Sequence, residues 1–324
     1  MISCTEFIPL YSEFFKFLEK RGGHDAVLDY WKHISKVSTG NKSNPNSLAS
    51  KCEALGGFEG AVAYWGHTLT EEACDLFQVI NHEKKFKYEH MRHCPSRGML
   101  NSLSHIEPYY DYCSHCNVIY SLVLENYGIT YERDNSMADR AECLSMLYET
   151  DNPPDFDFRT ITDEEAVKLI GTDSEIVDMK SSDNKYLHRD FHNSGNNALR
   201  YCGEKFGDEA VIEFLRGFAK SYFAPLVAKA KECGLAAINE WLLRLYEVEE
   251  ASDLISTELT EDKLTVRIKK SPAIEHMRRL NQTPSKYYVE ETRTVYGTIA
   301  EECGFRFNLI HYGDDGDAVY EFLA

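Results

Sequence analysis

A stretch beginning near residue 85 recurs about 175 residues later, and four cysteines mark the first copy alone. Residues 85–148 read KFKYEHMRHCPSRGML, PYYDYCSHCNVIYSLVLENYGITYERD and ECLSMLY. Residues 263–322 read KLTVRIKKSPAIEHM, PSKYYVEETRTVYGTIAEECGFRFNLI and DAVYEF. Pro95 aligns with Pro272, Tyr120 with Tyr296, Gly128 with Gly304 and Tyr131 with Phe307. At the matching places Cys94, Cys113, Cys116 and Cys143 become Ser271, Val289, Thr292 and Val319. Thiols gained or lost as a set mark one site, and that site belongs to the first half.

The likeness extends upstream: FLEKRGGHDAVLDYW (17–31) resembles YCGEKFGDEAVIEFL (201–215). A period this long means tandem domains, since solenoid repeats run to some 20–50 residues. Alternation of Phe86, Tyr88 and His90, and of Leu264, Val266 and Ile268, predicts a strand in each copy. Pro95 and Pro272 end those strands because proline offers no N–H to a ladder. Gly128 and Gly304 are placed to cap the helices that follow. The chain is therefore expected to be α+β, with two tandem homologous domains. Each has helices followed by a strand-helix-helix-strand-strand unit. The first repeat takes residues 1–150, an acidic linker 151–189, and the second repeat 190–324. Within the linker, DNPPDFDF cannot be helical, whereas TDEEAVKLIG reads as a short acidic helix.

A net charge of −18 argues against binding a nucleic-acid backbone or an anionic membrane surface. No apolar run approaches the ~20 residues that span a bilayer, and the N-terminal residues lack the pattern of an export signal. Ten cysteines in 324 residues are too sparse for a disulfide scaffold, so reduced thiols and a cytoplasmic location are expected. Oligomeric state is not readable from the chain.

Cys113 and Cys116 share one face of the helix expected over DYCSHC; Cys94 lies at a strand end and Cys143 in the last strand region. Convergence of the four would suit zinc or an iron–sulfur cluster, a reactive or redox-active thiolate, or plain packing, and these readings stay open. His115, between the helical cysteines, diverges from each by about 100° and reads as a poor base. His105 and the alternating His188, Asp190 and His192 of an extended linker are better placed for acid–base or ligand work. Asp111, four residues before His115, is a candidate substrate contact, and Arg97 is a candidate anchor for a carboxylate. No dinucleotide, Walker, nucleophile-elbow or HExxH motif occurs.

The run of Cys94-Pro95, DYCSHCNVIY, a helix ending at Gly128 and the late ECLSM resembles the L-2-amino-thiazoline-4-carboxylic acid hydrolase family. The FH…ALRY…FG…AV segment before the second copy is similar to that family as well. The resemblance implies hydrolysis of a C–N bond in a small cyclic amidine carboxylate, by a cysteine nucleophile or metal-assisted water. In that scheme Cys113 or Cys116 acts with His188, Asp190 and His192, and Arg97, His105 and Asp111 bind substrate. A small-molecule substrate and either no cofactor or zinc are implied, the zinc held by Cys94, Cys113, Cys116 and Cys143. The layout also resembles vinyl-reductase-type binding domains, which implies the alternative of a non-catalytic small-molecule- or metal-binding regulator.

Overall fold

The computed structural model describes all 324 residues, and the fold is α+β. The residues divide into two compact units. One comprises Leu18–Ser104 and Pro108–His188; the other comprises Met1–Phe17, His105–Glu107 and Arg189–Ala324. This differs from the expected division at 150 and 189 in three respects, the shortest being that His105–Glu107 group with the C-terminal residues. Residues 1–17 belong with the C-terminal unit because Phe7 stacks on Phe191 and Phe14 meets Phe214 edge-on. Residues 151–188 belong with the first sheet rather than forming a linker.

In chain order the elements begin with α1 (Phe7–Ile34), which is interrupted at Gly22–Gly23, where Gly23 has φ +70°. There follow α2 (Leu48–Leu55), α3 (Gly57–Glu71), β1 (Asp75–Asn81), β2 (Phe86–His93), α4 (Pro95–Ser102) and α5 (Ser114–Leu124). The first half continues with β3 (Ile129–Asp134), β4 (Cys143–Glu149), α6 (Asp163–Ile170) and β5 (Glu175–Met179). Its five strands are antiparallel, in the order β3-β4-β2-β1-β5. Helix α6 is the expected acidic helix, opened by a capping box between Thr162 and Glu165.

Successive strand residues point to opposite faces, and here both faces are covered. Leu76, Ile80, Met91, Cys143 and Leu147 join Trp65 of α3 and Val123 of α5 in one core. Val79, Tyr88, Leu144 and Met146 join Phe158, Ala166 and Ile170 in the other. The second core is roofed by the stretch read as a linker.

The other unit adds α7 (Phe191–Phe206), α8 (Asp208–Tyr222), α9 (Ala224–Cys233) and α10 (Leu235–Val248). It then runs β6 (Ile255–Leu259), β7 (Lys263–Ile268), α11 (Pro272–Arg279), α12 (Glu290–Cys303), β8 (Arg306–Tyr312) and β9 (Ala318–Leu323). The sheet order is β6-β7-β9-β8, the same connectivity as β1-β2-β4-β3. Each half thus has two strands before its helix pair, and the expected single strand missed β1 and β6.

Equivalent corners are built alike. Pro95 and Pro272 open α4 and α11, with Cys94 and Ser271 as the preceding caps. Cys94 Sγ accepts from Arg97 N at 3.5 Å, and Ser271 Oγ accepts from Ile274 N at 3.4 Å. Gly128 and Gly304 both adopt the left-handed conformation that ends a helix (φ +68° and +82°).

Candidate active site

The face of the five-stranded sheet beneath α3 and α5 carries a polar strip. Gln78, Glu89, Ser145 and Arg133 face one another in turn across β1, β2, β4 and β3. Gln78, Glu89, Ser145 and the neighbouring Lys87 are all buried. Lys87 Nζ contacts Glu89 Oε2 at 2.6 Å, and Gln78 Nε2 donates to the same oxygen at 2.6 Å. Burial opposes ionisation of Glu89, but the Lys87 ammonium outweighs it and holds the carboxyl below its ordinary value.

The corresponding strip of the other sheet has lost its charge. Counting back from the helix-opening prolines, Lys87 and Glu89 correspond to Leu264 and Val266. Val266 faces Thr257 and Tyr320, and Tyr320 faces Leu309. Ser145 and Arg133 are therefore matched by Tyr320 and Leu309. The same register sets Cys143 opposite Met91 and Ala318 opposite Ile268, so Ala318, not Val319, is the counterpart of Cys143. The asymmetry first visible in four cysteines extends to the sheet face beneath them.

Arg133 organises the thiols. Its Nη2 donates to Cys143 Sγ at 2.7 Å and its Nη1 to the Tyr131 hydroxyl at 3.3 Å. Its charge acts on Cys94, Cys113, Cys116 and Cys143 alike. The Arg133 guanidinium beside Cys143 is a permanent positive charge, which would oppose a second cation at that sulfur. The donor atoms that do lie within 4.8 Å of one another belong to Cys4, His192 and Glu249.

The four thiols are not equivalent. Burial pushes Cys94 up to about 11 and Cys113 up to about 12, and raises Cys143 as well. Burial also opposes ionisation of Cys116, but the His115 and Arg133 charges prevail and bring it down to about 7. His115 Nε2 lies 3.6 Å from Cys116 Sγ. His115 Nδ1 is hydrogen-bonded to the Tyr112 carbonyl oxygen. A carbonyl can only accept, so Nδ1 carries the proton and Nε2 presents its lone pair to the thiol. The imidazole is in turn held above its ordinary value, burial notwithstanding, by the Cys116 thiolate.

His115, set aside from sequence as a poor base, nevertheless lies with its ring nitrogen within hydrogen-bonding reach of Cys116. Helix α5 starts only at Ser114, with Cys113 as its N-cap. In this first turn the His115 ring folds back to the Tyr112 carbonyl and comes alongside Cys116. Both side chains are half-buried. Three polar atoms nearby are enclosed without a partner: Asn117 Oδ1, Asn135 Oδ1 and Arg133 Nε. The other ends of these amides are fixed, Asn117 Nδ2 to the Arg133 carbonyl and Asn135 Nδ2 to the Cys113 carbonyl.

The remaining expected site residues have partners of their own. His188 Nδ1 pairs with Glu71 Oε2 at 2.6 Å, Asp190 Oδ1 with His276 Nε2 at 2.6 Å, and His192 Nε2 with Glu249 Oε2 at 3.1 Å. The three do not share a side, because Asp190 is already in the right-handed helical conformation as the cap of α7 and the extended alternation has ended. Arg97 Nε donates to the Ala138 carbonyl at 3.2 Å, which ties α4 to the segment between β3 and β4. His105 is exposed and bonds the Tyr222 carbonyl at 3.0 Å. Asp111 accepts from Ser114 Oγ and faces His24 Nε2 at 3.6 Å. No helix is long and apolar enough to cross a membrane. Comparison with known family models, with curated proteins and with solved structures returns no match.

Proposed function

We propose that the five-stranded unit is a thiol-dependent hydrolase acting on a C–N bond of a small cyclic amidine carboxylate. Cys116 is the nucleophile, His115 its base and acid, and Arg133 the anchor for the carboxylate. The observation that carries this reading is the oriented contact between His115 Nε2 and Cys116 Sγ at 3.6 Å. Cys116 Sγ adds to the amidine carbon while the His115 imidazolium protonates the departing ring nitrogen, and the C–N bond breaks. Water then adds to the same carbon, gives a proton to His115, and expels the Cys116 thiolate. One water is consumed and the thiol is restored. The Arg133 guanidinium suits a carboxylate, and its Nε is unpartnered.

The test uses the full chain with 2-amino-thiazoline-4-carboxylate as probe, following loss of the ring by chromatography. Turnover is expected in the parent and in Cys113→Ser, and should vanish in Cys116→Ala and His115→Ala. Equal turnover in Cys116→Ala would overturn the mechanism. The unpartnered amide oxygens of Asn117 and Asn135 favour a second reading, a non-catalytic module that holds a small polar ligand. Thermal stabilisation by the probe without any turnover in the parent chain would select it.

A further inference from the structure

Outside the thiol site, one group of side chains is arranged as a chelator. A sulfur of Cys4, a ring nitrogen of His192 and a carboxylate oxygen of Glu249 all lie within 4.8 Å of one another. Their residues are 1%, 5% and 1% exposed. They come from three fixed places: a 3-10 turn at Cys4–Glu6, the first turn of α7, and the C-cap of α10. Ser3 Oγ and Cys4 N both donate to Glu249 Oε1, at 2.8 and 2.7 Å. That pins the carboxylate and turns its other oxygen toward His192.

A second observation concerns charge. The backbone N–H groups of Ile2, Ser3 and Cys4 each donate to a different carboxylate: Glu291 at 3.0 Å, Glu6 at 3.0 Å and Glu249 at 2.7 Å. Three carboxylates are therefore drawn to one tripeptide. The nearby guanidinium of Arg189 spends Nη2 on the Glu249 backbone carbonyl and on Glu250. The Met1 amine donates to Thr292 Oγ1 and the Tyr296 hydroxyl. The Met1 amine faces these buried carboxylates, and His192 pairs with Glu249 at 3.1 Å, so a bound ion would join a cluster of acids and bases already in mutual contact. A cavity of about 290 Å³ lies beside Glu249, lined also by Arg189, Lys270 and His276.

We propose that Cys4, His192 and Glu249 bind a divalent transition-metal ion of the zinc type. One thiolate, one imidazole and one carboxylate form a three-ligand set that leaves a fourth position for water or a small ligand. Binding would displace the Cys4 thiol proton and the His192–Glu249 hydrogen bond. The site is independent of the Cys116 reading and stands or falls separately from it.

The full chain, stripped with chelator, is titrated with cobalt(II) and then zinc(II). One equivalent of cobalt is expected to produce a thiolate-to-cobalt charge-transfer band and intense tetrahedral d–d bands, both removed by one equivalent of zinc. Cys4→Ser should lose the charge-transfer band, and His192→Ala should weaken uptake further than Ser3→Ala does. Ser3→Ala removes only an orienting hydrogen bond, for which a loss of about ten- to a hundredfold in affinity is expected. Cys116→Ser should leave the spectrum unchanged. Absence of the band in the parent chain, its survival in folded Cys4→Ser, or its loss in Cys116→Ser would each overturn the proposal. If Cys4→Ser fails to fold, the parent spectrum and the Ser3→Ala affinity decide.

Discussion

His115 Nε2 sits 3.6 Å from Cys116 Sγ although the two residues are consecutive in the chain. The Tyr112 carbonyl three residues earlier holds the other ring nitrogen, so one helical turn contains the thiol, the imidazole and the group that orients it.

Alkylation of Cys116 by iodoacetamide should therefore rise through a midpoint near the thiol's value of about 7. The thiolate is the reactive form, so the rate climbs as pH rises through that value. In His115→Ala the midpoint should move up toward an ordinary thiol, and the rate at pH 7 should fall by about tenfold. Mass spectrometry of the labelled peptide assigns the site, and a midpoint unchanged by the substitution would break the link.

Lys87 and Glu89 are a buried pair on the polar strip. Glu89→Gln leaves the ammonium without its partner and should cost about 3–5 kcal/mol in denaturant unfolding. The double change Lys87→Leu with Glu89→Val copies the residues found at the matching places in the other sheet and should recover most of that loss. Because the Glu89 carboxyl is held below its ordinary value, its contribution is full above the unfolded carboxyl range. It is lost as pH falls through the folded value. The double variant should lack this acid-side decline.

Cys94 acts as a helix cap. Cys94→Ser should leave stability near the parent value, since Ser271 performs the same task in the other unit. Cys94→Ala removes the acceptor and should cost about 0.5–2 kcal/mol. Thermal unfolding of the two variants checks the ordering; a Ser variant as damaged as the Ala variant would point to a role for sulfur itself.

Gly60 lets α3 approach α2. A Cβ at this position would stand 2.4 Å from the Cys52 backbone nitrogen and Cα, atoms that cannot rotate away. Gly60→Ala should destabilise by about 1–3 kcal/mol, the usual range for overpacking. Trp65 of the same helix packs on Tyr131, so displacement of α3 should also reduce turnover of the thiazoline probe.

Much of the frame was legible in the chain. Pro95 and Pro272 open helices after a strand, and Gly128 and Gly304 close the next ones, because each position demands a backbone state that few residues accept. Strands β1 and β6 escaped notice because the alternation was followed only in the strand next to each proline. Lys87 and Glu89, flanked by Phe86, Tyr88 and His90, read as the wet side of a strand. They are buried because α3 and α5 cover that face, which is tertiary information. The contact of Arg133 with Cys143 is tertiary in the same way, whereas Arg97 stands near Cys94 already in the chain. His115 was discounted on ideal helical geometry, yet its ring turns back to a carbonyl at the helix start. The reading of His188, Asp190 and His192 as one side failed because a helix begins inside it.

The strip running from Gln78 to Ser145 lies between two covered layers, out of reach of dissolved ions. A mobile counterion atmosphere attenuates attraction at a wet surface, but it cannot form where there is no solvent to hold it. Added salt should therefore weaken pairs such as Lys42 with Glu53 at the rim while leaving the Lys87–Glu89 contact almost untouched. Ionic strength becomes a simple means of telling the inner chemistry of this half from the charges that only decorate its outside.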